Sequence, residues 1–134
     1  MEQEQIMQIQ MMEQESNHLN QQMQMIEQNI NEMNELNASL EELKTQEGEM
    51  LINIGKKIYL PVEPKSKKLI VEVGKGNLIE KSLDETQKIV EEQIEKLNVG
   101  KMQITERLEE IQNEMMKMIS EIEKVQEKSG KNLE

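Results

Sequence analysis

Apolar side chains recur three and four positions apart over two long stretches of the chain, with a block of different periodicity between them. The first stretch runs through Ile9, Met12, Leu19, Met23, Ile26, Ile30 and Met33 and continues through Leu36, Leu40 and Leu43. It contains no glycine or proline up to residue 47, so the spacing predicts a helix over 1–47 with a heptad-like stripe. At 1.5 Å per residue such a helix is about 70 Å long. Ser16 is its one polar seam position early on, and the step Met33–Leu36–Leu40 is a three-residue phase slip, which predicts local overwinding. The second stretch is more regular: Val90, Ile94, Leu97, Ile104, Leu108, Ile111, Met115, Met118, Ile122 and Val125, interrupted only at Lys101 beside Gly100. Ser82-Leu83-Asp84-Glu85 fits a capping box at its start, and Ser129-Gly130 is expected to end it near Lys128. A buried Lys101 predicts a soft point in the seam.

Between the helices, residues 48–81 carry β-branched and apolar residues that alternate with polar ones around glycines, the mark of hairpins. The block matches itself at an offset of 19: Ile52, Ile54, Gly55, Lys56 and Leu60 fall on Val71, Val73, Gly74, Lys75 and Ile79. One hairpin is written twice, with loops at Gly55-Lys56-Lys57 and Gly74-Lys75-Gly76. The predicted fold is thus α+β and mostly α. Helices 1–47 and 82–134 form a long antiparallel coiled coil joined by the double hairpin, with residue i beside residue 130 − i and Met12 close to Met118. A stripe this narrow also suits pairing between two chains.

Composition narrows the picture. The chain has 134 residues, one Tyr, no Phe and no Trp, and 32% of its residues are charged; its mean hydropathy is −0.77. A compact core has little to fill it, which leaves disorder or long helices with a narrow seam. The first 30 residues, with nine Gln and six Met, read alone as low-complexity sequence, but both residues are good helix formers and the seam persists through them. The net charge of −11 is uneven: −9 over residues 1–47, +3 over 48–81 and −5 over 82–134. A basic middle between acidic arms argues against nucleic-acid binding, because neither arm has a basic stripe. There is no cysteine, hence no thiol chemistry. The acidic Met1-Glu-Gln-Glu-Gln start and apolar runs of at most three residues argue against a leader, a membrane span or a membrane partner, and a cytoplasmic protein is expected.

Little in the chain suggests catalysis. His18 is the only histidine and has no second ligand or nucleophile at a useful spacing. The adjacent glutamate pairs, such as Glu91-Glu92, do not face one another on a helix, and Gly74-Lys75-Gly76 is too short for a phosphate loop. No enzyme activity, cofactor or metal is expected. The surplus of apolar residues says more. Ile6, Met7, Met11, Met25, Met116 and Ile119 fall off the seam and widen the apolar face beyond one partner helix. Scattered apolar residues occur on any surface, yet a methionine-rich face also suits adaptable binding of many sequences. With the seam residues Ile9, Met12, Met115 and Ile122, Ile6, Met7, Met11, Met116 and Ile119 form the candidate binding set at the open end of the helix pair. The strands are apolar on both faces, and two isolated hairpins are only marginally stable in water. Leu51, Ile52, Ile54, Ile58, Leu60, Leu69, Val71, Val73, Leu78 and Ile79 are therefore the candidate oligomer interface.

The order helix, two hairpins, helix resembles the prefoldin family, and its alpha class in particular, which has two hairpins where the beta class has one. The residues that carry the resemblance are Ile54-Gly-Lys-Lys-Ile-Tyr-Leu-Pro61 and Val71-Glu-Val-Gly-Lys-Gly-Asn-Leu-Ile-Glu-Lys81. Lys57 stands where the family often has a second glycine; a left-handed conformation there costs about 1 kcal/mol and predicts a different register in the first turn. The resemblance implies an ATP-independent co-chaperone in the cytosol. Two alpha-class and four beta-class subunits would join through their hairpins into a β-barrel platform, and the coiled-coil ends would hold non-native proteins for a group II chaperonin. A coiled-coil adaptor or filament former without holdase activity, or a subunit of a nuclear or transcription-linked prefoldin-like complex, fits the same layout.

Overall fold

A computed structural model describes residues 2–132. Its elements in chain order are α1 (Glu2–Thr45), β1 (Met50–Gly55), β2 (Ile58–Val62), β3 (Leu69–Glu72), β4 (Leu78–Lys81) and α2 (Leu83–Asn132). The chain divides into two compact units, Met1–Asn29 with Leu97–Glu134, and Ile30–Lys96.

In the unit Ile30–Lys96, Leu40, Leu83 and Val90 are buried together, with Met33, Leu43, Ile94 and Leu69 of β3 packed against them. Leu69 thus ties the second hairpin to the helices. Helix α1 stops at Thr45 because Gly48 beyond it has φ 77°, a left-handed conformation that glycine accepts without a Cβ penalty. Lys67 Nζ donates to the Lys44 carbonyl at 2.7 Å and satisfies one of the helix's free C-terminal acceptors. At the start of α2 the Ser82 hydroxyl accepts from the Glu85 amide at 3.1 Å, the N-cap bond that the Ser-x-x-Glu pattern predicts.

The hairpins realise the sequence repeat in their registers. Ile52 pairs with Leu60 and Asn53 with Tyr59; at the offset of 19, Val71 pairs with Ile79 and Glu72 with Leu78. The first ladder shifts between Asn53 and Gly55, where Gly55 pairs with Ile58, so Ile54 is an extra, bulged residue. The second hairpin repeats this arrangement: Val73 donates to the Asn77 carbonyl at 2.8 Å and Asn77 to the Gly74 carbonyl at 3.0 Å. The first connection is shorter than expected, with only Lys56 and Lys57 between the strands. Lys57 accepts a positive φ of 66°, close to the 78° of its counterpart Gly76, and the two turns differ instead at the preceding glycine, with 137° at Gly55 and 58° at Gly74.

Several sequence expectations need correction. Leu36 is 44% exposed, and Asn37 takes the interior position between Met33 and Leu40. The seam therefore keeps its strict three-four spacing through Ile26, Ile30, Met33, Asn37 and Leu40, and there is no phase slip. Helix geometry fixes which positions face inward, and one polar residue does not displace it. The cross-helix register also differs slightly. Ile26 faces Gly100, Glu27 pairs with Lys101, Glu41 with Gln87 and Lys44 with Asp84. In these pairs the two residue numbers sum to 126–128, and in the Glu15–Arg107 pair to 122, where 130 was expected. Helix α2 continues through Ser129 and Gly130 to Asn132, since a single helical glycine costs only about 1 kcal/mol. Lys101 is not buried: its ammonium lies 3.6 Å from Glu27 Oε1, with 43% of the side chain exposed. Snorkelling to a partner removes most of the expected penalty.

Candidate functional site

Each hairpin is a two-stranded sheet that pairs with no other strand among the described residues. Period-two alternation alone would hide half of the side chains, but among the described residues only Met50 and Val62, at the foot of the first hairpin, are partly covered. Leu51, Ile52, Ile54, Ile58, Leu60, Leu78 and Ile79 are all exposed, and Val73 is at the edge of exposure. Leu69 and Val71 are half-buried instead, because they lie on the side of β3 that carries Leu69 onto the helical core. Tyr59 and Ile70 belong with the exposed group, and Ile70 is the most exposed large apolar residue among the described ones, at 72%. The sequence signal for Ile70 was its alternation with Leu69 and Val71 within one apolar run. At the foot of the first hairpin an open cleft of about 740 Å³ has Leu43, Met50, Ile52, Val62, Leu69 and Leu83 among its walls.

Helical spacing splits the second candidate set in two. Ile6, Met7, Met11, Met116 and Ile119 lie off the seam and are exposed. Ile9, Met12, Met115 and Ile122 are half-buried seam residues and offer only part of their surface. Met25, Val99 and Met102 are exposed as well, away from the ends of the helices. In the same unit Ile111 is the most deeply buried side chain, at 1% exposure. A small hollow of about 200 Å³ lies against the polar seam residue Ser16, walled also by Glu13, Asn17 and Met115.

The helix pair in this unit is fastened by Arg107, the chain's only arginine. Its guanidinium reaches Glu15 through Nε at 2.9 Å and Nη2 at 3.2 Å, and Glu110 through Nη1 at 3.2 Å. Hydrogen bonding from Arg107 holds the Glu15 carboxyl below its ordinary range. In the other unit Glu41 is shifted the same way, first by the Gln87 amide and then by Lys44. These cross-helix pairs escaped sequence reading because they appear only once the register is known. His18 lies exposed with Gln22 Nε2 at 3.3 Å from its ring. Among the described residues no group of His, Cys, Asp or Glu is arranged to hold a metal ion, and no helix is long and apolar enough to cross a membrane.

What this arrangement offers is apolar surface: open strand faces in one unit and a widened helical stripe in the other. A comparison with proteins of established function finds no match. Among solved structures the chain is similar to the filamentous prefoldin (PFD) of Methanocaldococcus jannaschii, determined by cryo-electron microscopy. The TM-score is 0.71 at 22% identity, covering 84% of this chain and 96% of that one, so the fold is shared. The family model for a prefoldin subunit matches residues 12–128. That match takes in both hairpins and most of both helices, and the chain belongs to the prefoldin family.

Proposed function

We propose that this chain is an alpha-class prefoldin subunit that acts as an ATP-independent holdase. The carrying observation is the apolar surface that the chain leaves uncovered on its hairpins and on the outer sides of its helix ends. The proposal gives residues 48–81 the work of assembly, with the coiled-coil helices 1–47 and 82–134 as arms of a single prefoldin domain. Leu51, Ile52, Ile54, Ile58, Leu60, Leu69, Val71, Val73, Leu78 and Ile79 join beta-class subunits into a hexamer of two alpha and four beta chains. The half-buried Leu69 and Val71 serve from the inner side of β3. Ile6, Met7, Met11, Met116 and Ile119, with the partly covered Ile9, Met12, Met115 and Ile122, hold non-native proteins in the cytoplasm for a group II chaperonin. Apolar burial supplies such binding without sequence preference, and methionine adapts to varied partners. Light scattering of a denatured test protein, with equimolar assembled complex and no nucleotide, tests this: aggregation is suppressed if the reading holds and proceeds unchanged if it does not.

One observation favours a second reading. A similar solved structure is of a filamentous prefoldin, and strands open on both faces also suit indefinite assembly. Electron microscopy of the chain alone distinguishes the two, since filaments without protection of a client would favour a structural role.

A further inference from the structure

All three non-glycine residues with positive φ among the described residues are lysines, and all lie in the hairpin turns: Lys56 (47°), Lys57 (66°) and Lys75 (41°). Turns with two left-handed central residues favour Gly, Asn and Asp, and a Cβ-bearing side chain there costs about 1 kcal/mol. Gly76, the counterpart of Lys57, shows that the same turn forms with the favoured residue. Turn geometry therefore does not account for the lysines.

Their charge is also unanswered. Residues 50–81 hold seven lysines and three acids, and among the described residues none of these lysines forms an ion pair with a carboxylate. Hairpins brought together by their apolar faces would crowd like charges unless counter-charge came with them. The complement lies on α1, which has no Lys or Arg before Lys44. Its Glu32, Glu35 and Glu42 are exposed, lie on one outer stripe by helical spacing, and form no ion pair among the described residues.

We propose that Lys56, Lys57 and Lys75 dock on the Glu32–Glu35–Glu42 stripe of a second copy of this chain. The contact orients assembly that the apolar strand faces drive, and so rests on the hub reading above. Lysines at strand ends also deter edge-to-edge pairing, and that role predicts the opposite sign: removing them would tighten association.

The test is sedimentation equilibrium of the full chain, with circular dichroism as a folding control. Wild type should self-associate and weaken in about 1 M salt, where exposed charges are screened within roughly 3 Å. The variant Lys56→Asn, Lys57→Asn, Lys75→Asn keeps residues that accept the turn, so it should remain folded, associate about tenfold more weakly and lose its salt dependence. A chain carrying Lys56→Asp, Lys57→Asp and Lys75→Asp should recover association when mixed with a chain carrying Glu32→Lys, Glu35→Lys and Glu42→Lys. Association of the Asn variant as tight as wild type or tighter, a monomeric wild type, or no recovery in the mixture overturns the proposal. So does lysine-dependent binding of a labelled DNA duplex with unchanged self-association. Loss of assembly in Ile54→Asp/Val73→Asp, beside an unaffected Asn variant, would leave the hub standing and remove only the lysine contact.

Discussion

Ile111 on α2 and Ile70 on β3 are the same residue type in regular structure, yet one is 1% and the other 72% exposed. The difference follows from how each element satisfies its apolar side. The helices each present a seam, and the chain supplies both partners, so Ile111, Leu40 and Val90 are buried within one copy. The strands pair two by two, but among the described residues no second layer packs on most of their side chains, which stay open to water. Burying a large aliphatic side chain contributes roughly 1.5–3 kcal/mol, which the helices gain on folding and the hairpins gain only on association.

The largest expected effect breaks the hairpin side of this contrast. Ile54→Asp with Val73→Asp puts two carboxylates where the proposed assembly buries apolar surface, at a cost on the order of several kcal/mol. The single chain should keep its helix content, because both positions are exposed in it. Native mass spectrometry should show loss of the oligomer, and an unchanged mass in a folded protein would remove the hub.

A second change sharpens the helical side. Changing Ile6, Met7, Met11, Met116 and Ile119 to Ser should leave helix content and assembly mass nearly unchanged, since all five are exposed. Protection of a denatured client, followed by light scattering, should fall several-fold because its apolar contact is stripped. Full protection by this variant would place client binding elsewhere.

The contrast also explains what was legible in the sequence. The seam of α2 could be read directly because nearly every inward position is Ile, Leu, Val or Met, and the hairpins because their registers repeat at a fixed offset. Asn37 was misread because the neighbouring Leu36 offered a more apolar choice, although heptad spacing points to Asn37. Lys67 capping α1 and Arg107 gripping Glu15 were invisible: each joins residues far apart in sequence, and no local pattern marks them.

Asn37 offers the next test. Its Oδ1 is shut off from solvent and has no hydrogen-bond partner among the described residues, which makes it a weak point between the apolar seam residues Met33 and Leu40. Asn37→Leu removes an unsatisfied polar atom and should raise stability by about 1–3 kcal/mol, read as a higher denaturation midpoint. A midpoint at or below that of wild type would show that the oxygen is satisfied in solution.

Gly100→Ala should have a smaller effect of the same sign. A Cβ there would meet Ile26 Cδ1 at 3.7 Å, an ordinary contact, while the helix gains about 1 kcal/mol of propensity. A rise of a few degrees in melting temperature is expected; a fall would mean that the two helices approach more closely at this point.

The smallest effect concerns the exposed clasp between Glu15 and Arg107, where the helices are joined by charge and not by burial. Hydrogen bonding from Arg107 depresses the Glu15 carboxyl below its ordinary value of 4.5. A carboxyl depressed on folding contributes stability that is fully present above its unfolded value and is lost as pH falls through the folded one. Glu15→Gln keeps the shape and one acceptor oxygen but cannot titrate. At neutral pH the variant should therefore melt slightly below wild type. The gap should narrow as pH drops below about 4.5, because wild type alone loses a contribution there. Both partners are about two-fifths exposed, so the gap should also shrink in high salt. Glu41 titrates in a different unit and is unchanged by the substitution, so any acid sensitivity it confers cancels between the two proteins. A gap that stays constant from pH 7 to pH 3 would show that the arginine clasp contributes shape alone.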